Sequence, residues 1–256
     1  MQLPTGKAFI QVADNGENAI VLVTGANGLL YGNHLDRSLD NHSHPGCNID
    51  DYSHVLLQNE ISFVATSSTI ALAKKRKIPT IWNPSPMLSR SQIDEVDWES
   101  IDYLVLNERE AEELLSGMQK SRNEIDAPLV DLYQFRQAGL RTTTVIMTKG
   151  RKGAQALLRD DIVDFPLRVK VDVQNTTGAG DCFVSVPLSR SCSTSLMHSA
   201  HSGYFSALLA EMRTVESSVE IALVAASMSC ESPGAMDSYP SMPQVRERMR
   251  AAGVEA

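Results

Sequence analysis

The sequence predicts an α/β fold: a doubly wound, mainly parallel sheet with helices on both faces, preceded by a β-hairpin. Three observations carry this. Between residues 54 and 158, short apolar and β-branched runs alternate with helix-spaced segments, the rhythm of a parallel sheet with crossover helices. Ahead of them, two β-type runs at 7–12 and 19–24 flank Asp14-Asn15-Gly16-Glu17-Asn18, which reads as the turn of a hairpin. Behind them, the polar and small-residue stretch from Asn175 to Phe183 runs into a helix start.

In chain order, Gly25-Ala26-Asn27-Gly28 breaks the second β run, and residues 33–51 are polar and loop-like. Val55-Leu56-Leu57-Gln58 is a buried strand. Residues 67–77 have helical spacing and a Lys74-Lys75-Arg76-Lys77 finish suited to the negative end of a helix dipole, not a nucleic-acid patch. Thr80-Ile81-Trp82-Asn83 is a strand stopped by Pro84 and Pro86, and Tyr103-Leu104-Val105-Leu106 is another, followed by a helix through Leu115. Residues 132–138 look helical, 143–147 form a strand, and Thr148-Lys149-Gly150 leads past Gly153 into a strand at 154–158. Ligands of such sheets sit beyond the carboxyl ends of the strands, where Asn83, Asn107, Thr148 and Asp181 are expected. A long helix is expected after Phe183, yet residues 185–195 hold Pro187 and many serines, and helical pattern returns only at 204–210. A last helix covers 219–229, and Pro233-Gly234-Ala235 opens an irregular tail.

Bulk properties narrow the function. A chain of 256 residues with 43% hydrophobic and 21% charged residues has the composition of a globular protein. A net charge of −8 argues against nucleic acid as a partner. No run approaches the ~18 apolar residues of a membrane span, and the first residues lack a signal-peptide pattern. Cys47, Cys182, Cys192 and Cys230 make no Cys-x-x-Cys pair, so reduced thiols and a cytoplasmic location are expected, with the nucleus as the alternative.

The stretch 175–183 carries the chemistry. Gly178, Ala179 and Gly180 let the backbone bend tightly and bring its N–H groups close to an anion. Asp181 closes that turn, and an acid beside an anion cradle is costly unless it acts on a substrate proton. The pair suggests phosphoryl transfer to a hydroxyl. Blander readings exist for each feature. Gly-x-Gly-Asp turns are common, Glu110-Ala111-Glu112-Glu113 reads equally as a solvated helix start, and Glu60 as a loop acid. His42, His44 and Cys47 lack a second ligand pair, and His198 with His201 reads as surface.

Taken together, the motifs resemble those of the sugar kinases of the ribokinase (PfkB) type. The matches run in order along nearly the whole chain: Thr5-Gly6 with Ala8-Phe9-Ile10, Gly16-Glu17-Asn18, Gly25-Ala26-Asn27, Leu57-Gln58-Asn59-Glu60, Asn83-Pro84-Ser85-Pro86, Asn107-Glu108-Arg109-Glu110-Ala111-Glu112, Thr148-Lys149-Gly150-Arg151-Lys152-Gly153, and Thr177-Gly178-Ala179-Gly180-Asp181. The Gly-Glu-Asn and Gly-Ala-Asn pair leans toward the ribose-phosphorylating branch rather than the fructose or adenosine ones. The resemblance implies one ribokinase-like domain over 1–256, incomplete at its N-terminus, with a partial lid at 7–24 and a nucleotide-binding core at 52–256. It implies transfer from ATP to the primary hydroxyl of D-ribose, giving D-ribose 5-phosphate. The alternatives are a catalytically inactive nucleotide-binding remnant and a kinase of another sugar or nucleoside.

The resemblance also implies roles. Asp181 would deprotonate the sugar hydroxyl, and the N–H groups of Gly178, Ala179 and Gly180 would form the anion hole. Asn107 would face the phosphates, and Glu110 would hold Mg2+ through phosphate or water. Thr148, Lys149, Gly150, Arg151, Lys152 and Gly153 would hold the nucleotide together with Gly180 and Asp181. Glu60 and Asp181 would bind the sugar. Asn175, Thr177, Ser229, Ser232, Gly234 and Ser238 would supply oxygens to a monovalent cation, K+. The partners implied are a small sugar and ATP, with a homodimer through the lid, and neither nucleic acid nor membrane.

Three departures from the family pattern stand out. The chain starts about where the last third of the lid should begin, so the Gly-Gly-x-x-x-Asn sugar motif is missing. Asn175 replaces the acid expected before Thr-x-Gly-Ala-Gly-Asp, which predicts weaker activation by K+. Residues 185–202 read as an insertion, since joining Val184 to Gly203 restores the expected helix. A missing block and an added block in otherwise collinear sequence suggest a truncated or mis-spliced product, which sequencing the transcript would decide.

Overall fold

The computed structural model describes residues 3–13, 18–30, 49–119, 130–184 and 204–254. The turn at 14–17, the loop with His42, His44 and Cys47, and the segment with Cys192, His198 and His201 lie outside them. Strands β1 (Lys7–Val12) and β2 (Asn18–Val23) pair as a two-stranded sheet, the expected hairpin. A second sheet holds β3 (Val55–Leu57), β4 (Thr80–Trp82), β5 (Tyr103–Asn107), β6 (Thr144–Thr148), β7 (Ala154–Leu158) and β8 (Asp161–Phe165), in that spatial order. The run from β3 to β6 is parallel. Only Arg159-Asp160 joins β7 to β8, and 149–153 join β6 to β7; links this short turn a strand back on its neighbour, so the sheet is mixed. The helices are α1 (Phe63–Arg76), α2 (Arg90–Glu95), α3 (Glu108–Met118), α4 (Tyr133–Gln137), α5 (Ala179–Val184), α6 (Tyr204–Ala210), α7 (Val215–Ser229) and α8 (Met242–Ala251). Among the described residues, no helix is long and apolar enough to cross a membrane.

The chain packs as two compact units. The first is Met1–Ala8, Leu22–Lys149 and Gln155–Asp164. Its core joins Leu57 and Trp82 of the sheet to Leu104, Leu106, Val145 and Met147, with Leu114 and Phe135 from the helices. Each large apolar side chain buried there contributes on the order of 1.5–3 kcal/mol. Trp82 stacks on Trp98 with ring centroids 5.7 Å apart. Helix α1 starts where Ser62 Oγ accepts the Ala65 N–H at 3.2 Å. It stops at Lys77, which takes a left-handed conformation with φ 58°.

The second unit is Phe9–Val21, Gly150–Ala154 and Phe165–Ala256. Within it, Phe183 of α5 stacks on Phe205 of α6, with centroids 6.0 Å apart. Ser206 Oγ donates to the Val184 carbonyl at 2.8 Å. The tail after Pro233 is not irregular, as the sequence had suggested, because it ends in α8. Ser241 and Gln244 form a capping box, Pro243 falls in the first turn where its missing N–H costs nothing, and Val245 and Met249 bury one face. Arg248 then grips both oxygens of Glu231, at 3.0 and 2.9 Å, and reaches the Lys170 carbonyl at 3.2 Å.

Candidate active site

In the first unit, a polar row lies across the carboxyl ends of neighbouring parallel strands. Asn107 ends β5 and Thr148 ends β6, and the two are direct register partners, so their backbones are one strand spacing apart. Asn107 caps α3: its Oδ1 accepts the Glu110 N–H at 2.8 Å, while Glu110 Oε2 accepts the Asn107 N–H at 2.9 Å. Asn83, just beyond β4, donates through Nδ2 to the Val105 carbonyl at 2.9 Å and to Glu110 Oε2 at 3.3 Å. Thr148 Oγ1 reaches the Leu106 carbonyl at 3.4 Å. The helix-start reading of Glu110 is the one these bonds show. Its Oε2 serves the helix start and Asn83, and its Oε1 has no hydrogen-bond partner among the described residues.

Beside this row, the loop after β3 is tied down by Asn59, whose N–H meets the Ser85 carbonyl at 3.0 Å and whose Nδ2 meets the Pro86 carbonyl at 2.7 Å. Glu60 follows it and is exposed. Lys149 lines a cavity of about 170 Å³ with Glu108, Glu112, Val130, Met147 and Gln155.

In the second unit, Gly150, Arg151 and Lys152 form a single 3-10 turn closed by a Gly153 N–H bond to the Gly150 carbonyl at 3.0 Å. Arg151 and Lys152 are exposed there, while Gly153 is buried with φ +98°.

The same unit holds the turn before α5. The N–H groups of Gln174 and Asn175 both donate to the Cys230 carbonyl, at 2.8 and 3.1 Å, which fastens the approach to the end of α7. Asn175 Oδ1 accepts the Thr177 N–H at 2.8 Å, an Asx turn. Gly178 sits at φ +78°, and Asp181 falls in the first turn of α5 rather than at a strand end as expected, since residues 166–178 form no strand. The Ala179 N–H makes a long 3.3 Å bond to the Thr176 carbonyl, and the Gly180 N–H has no partner among the described residues. Asp181 is open to water on one side and crowded on the other. That crowding strips part of its hydration and pushes its carboxyl above the ordinary aspartate value. Burial pushes the neighbouring Cys182 thiol up to about 12, and Cys230 upward too, so both are inert packing groups.

The remaining predicted residues lie close in sequence around the end of α7. Ser229 Oγ donates to the Ala226 carbonyl and Ser238 Oγ to the Ala235 carbonyl, each at 2.7 Å. Each hydroxyl oxygen retains lone pairs, and Asn175 Oδ1, which accepts one N–H from Thr177, retains one as well. Ser232 and Gly234 are exposed. Among the described residues, no cluster of three His, Cys, Asp or Glu groups could hold a metal unaided. The free oxygen of Glu110 instead fits Mg2+ carried in on nucleotide phosphates, since that ion needs only one or two carboxylates there. The structure adds two residues to this set: Asn83, whose bond to Glu110 the sequence does not show, and Tyr239, which nothing in the sequence singles out.

Comparison with known proteins shows what the chain is similar to. Residues 2–242 match the pfkB family carbohydrate kinases. The chain is 28% identical to a deoxyribokinase of Salmonella typhi over 249 residues, covering 95% of this chain and 69% of that protein. It is 28% identical to a ribokinase of Schizosaccharomyces pombe over 250 residues, covering 94% of this chain and 66% of that one. The crystal structure of ribokinase from Cryptococcus neoformans in complex with ADP superposes with a TM-score of 0.74 at 29% identity, covering 96% of this chain and 72% of that one. The chain thus spans about two thirds of the length of the relatives it matches.

Proposed function

Because the chain belongs to the pfkB family of carbohydrate kinases, we propose that it phosphorylates D-ribose at its primary hydroxyl, using ATP and releasing ADP and D-ribose 5-phosphate. The observation that carries this reading is the turn at 177–181. It joins a carboxyl with a raised proton affinity to backbone N–H groups that have weak partners or none.

In the step proposed, the Asp181 carboxylate takes the hydroxyl proton as the sugar oxygen attacks the γ-phosphorus. The new O–P bond forms as the bond to the β-phosphate oxygen breaks, and its electrons leave with ADP. The Gly180 N–H, helped by Gly178 and Ala179, donates to the phosphoryl oxygens in transit. Asn107, Thr148, Lys149 and the 150–153 turn hold the nucleotide. Glu110 would hold Mg2+, which supplies charge neutralisation on the phosphates. Glu60 contacts the sugar, and the hairpin of β1 and β2 covers it. Oxygens of Thr177, Ser229, Ser232, Gly234 and Ser238 would surround a monovalent cation, with Asn175 adding an uncharged donor. Phe9 and Val21 on the hairpin are 59% and 65% exposed, an apolar surface that also suits a dimer formed through the lid. A cytoplasmic setting fits these soluble substrates.

The alternative reading is a nucleotide binder without turnover. Thermal unfolding separates the two. A ligand at 100 times its Kd adds about 2.7 kcal/mol, worth at least ~5 °C in a chain of this size. The kinase reading expects ATP to raise Tm and D-ribose to raise it further. A shift with ATP and none added by any sugar would leave the binder reading.

A further inference from the structure

The Tyr239 hydroxyl donates to the Gly178 carbonyl at 3.0 Å. The same oxygen accepts the Cys182 N–H at 2.8 Å. Both lone pairs of one carbonyl are thereby used. Because a peptide unit is planar, fixing that C=O also fixes the Ala179 N–H on the far edge of the same plane. The phenol closes the space over Gly178 as well: a Cβ there would lie 2.9 Å from the Tyr239 oxygen and 3.1 Å from Ala235 Cβ. Tyr239 is itself held firmly. Its N–H bonds to the Met236 carbonyl at 3.2 Å, and Ser238 bonds to the Ala235 carbonyl through its N–H at 3.1 Å and its Oγ at 2.7 Å. The Asp181 carboxylate lies within electrostatic reach of the phenol.

We propose that Tyr239 is a positioning residue of the phosphoryl-transfer site, its hydroxyl setting the Gly178–Ala179 peptide plane and, through it, the anion hole and Asp181. The proposal rests on the kinase reading above. Tyr239→Phe removes the hydroxyl and keeps the ring, so the fold should stand. The test compares parent and variant by steady-state kinetics with ATP and D-ribose, and by amide hydrogen exchange at residues 179–182. The expected result is a kcat lower by about 10-fold, the scale of one hydrogen bond, with KM values unchanged and exchange faster at 179–182. A merely structural role would lower Tm and leave kcat of the folded enzyme alone. If the parent turns over and the variant matches it in kcat and exchange, the positioning role is overturned while the kinase reading stands. If the parent turns over no sugar, the kinase reading falls, and exchange alone decides whether the hydroxyl sets the turn.

A separate observation concerns α5 and α6. If Gly203 is counted as the residue after Val184, Ser206 becomes the fourth residue beyond Val184, and Phe205 the fourth beyond Phe183. The Ser206 Oγ bond to the Val184 carbonyl is then the back-bond a helical serine makes to the carbonyl four residues earlier. The Phe183–Phe205 stack is likewise the side-chain pair expected four residues apart on one helix face. Two contacts of different kinds, one polar and one aromatic, give the same offset. We infer that α5 and α6 are two parts of one helix in register, into which residues 185–202 are inserted. Deleting 185–202 keeps the register, whereas deleting 185–200 leaves two extra residues and turns α6 by roughly 200°. The first variant should match or exceed the parent's Tm, and the second should fall well below it. Equal losses in both, or failure of both to fold, would overturn the inference.

Discussion

Replacing Asp181 with Asn is expected to lower kcat by about 100- to 10,000-fold while leaving ATP binding nearly unchanged, the usual scale for loss of a general base. The amide keeps the shape of the carboxyl and can still accept a hydrogen bond, but it cannot take the hydroxyl proton. The same substitution should not weaken the fold. A carboxyl whose proton affinity is raised in the folded state adds stability while it is protonated, and that stability is lost as pH rises through its folded pKa. At neutral pH its ionisation therefore costs the fold something, and Asp181→Asn should melt at or above the parent. In the parent, kcat should fall on acidification with a midpoint above the ordinary aspartate value of 3.8, because only the ionised carboxyl is a base. Steady-state rates across pH, with calorimetry of both proteins, check all three outcomes. Turnover retained in the Asn variant would remove Asp181 from the chemistry.

Gly153→Ala is expected to cause the largest loss of stability, on the order of 3 kcal/mol or more. Two causes act together. The backbone sits at φ +98°, a conformation that alanine adopts only under strain, and the added Cβ would lie 2.0 Å from the Phe165 carbonyl oxygen and 2.9 Å from the Leu167 nitrogen. Those obstacles are backbone, so no side-chain rotation relieves them. Relief requires the chain leaving β8 to lift off Gly153, which carries the 150–153 turn with it. Denaturant unfolding should report the lost stability, and ATP should bind more weakly to the fraction that folds. A variant as stable as the parent would show that the backbone at Phe165 yields easily.

The strands were legible because buried parallel strands are short apolar runs, and β3 to β6 each fall where such a run stands. The turn from Thr177 to Asp181 was legible as a turn because small residues run there into a helix start, and Gly178 at φ +78° and α5 from Ala179 bear that out. The final helix was hidden by its own start. Pro240 and Pro243 look like breakers, yet one precedes the cap and the other sits in the first turn, and only Val245 and Met249 mark a buried face. Glu110 shows a limit of another kind, since its carboxylate caps a helix through one oxygen, and that bond does not exclude a ligand at the other. Tyr239 was beyond reach because its contact with Gly178 spans 61 positions and depends on a single hydroxyl. Asn83 was visible at a strand end, but its bond to Glu110 needed β4 and β5 side by side.

The central claim is that this chain moves a phosphoryl group to a sugar, and coupled detection of ADP release over a panel of sugars tests it most directly. The panel holds D-ribose, 2-deoxy-D-ribose, fructose and adenosine, with Asp181→Asn as the matched control. The account predicts ADP release that depends on D-ribose, exceeds that with the other acceptors, and is lost in the Asn variant. ADP release that is independent of any sugar, or equal in the parent and in Asp181→Asn, would contradict it.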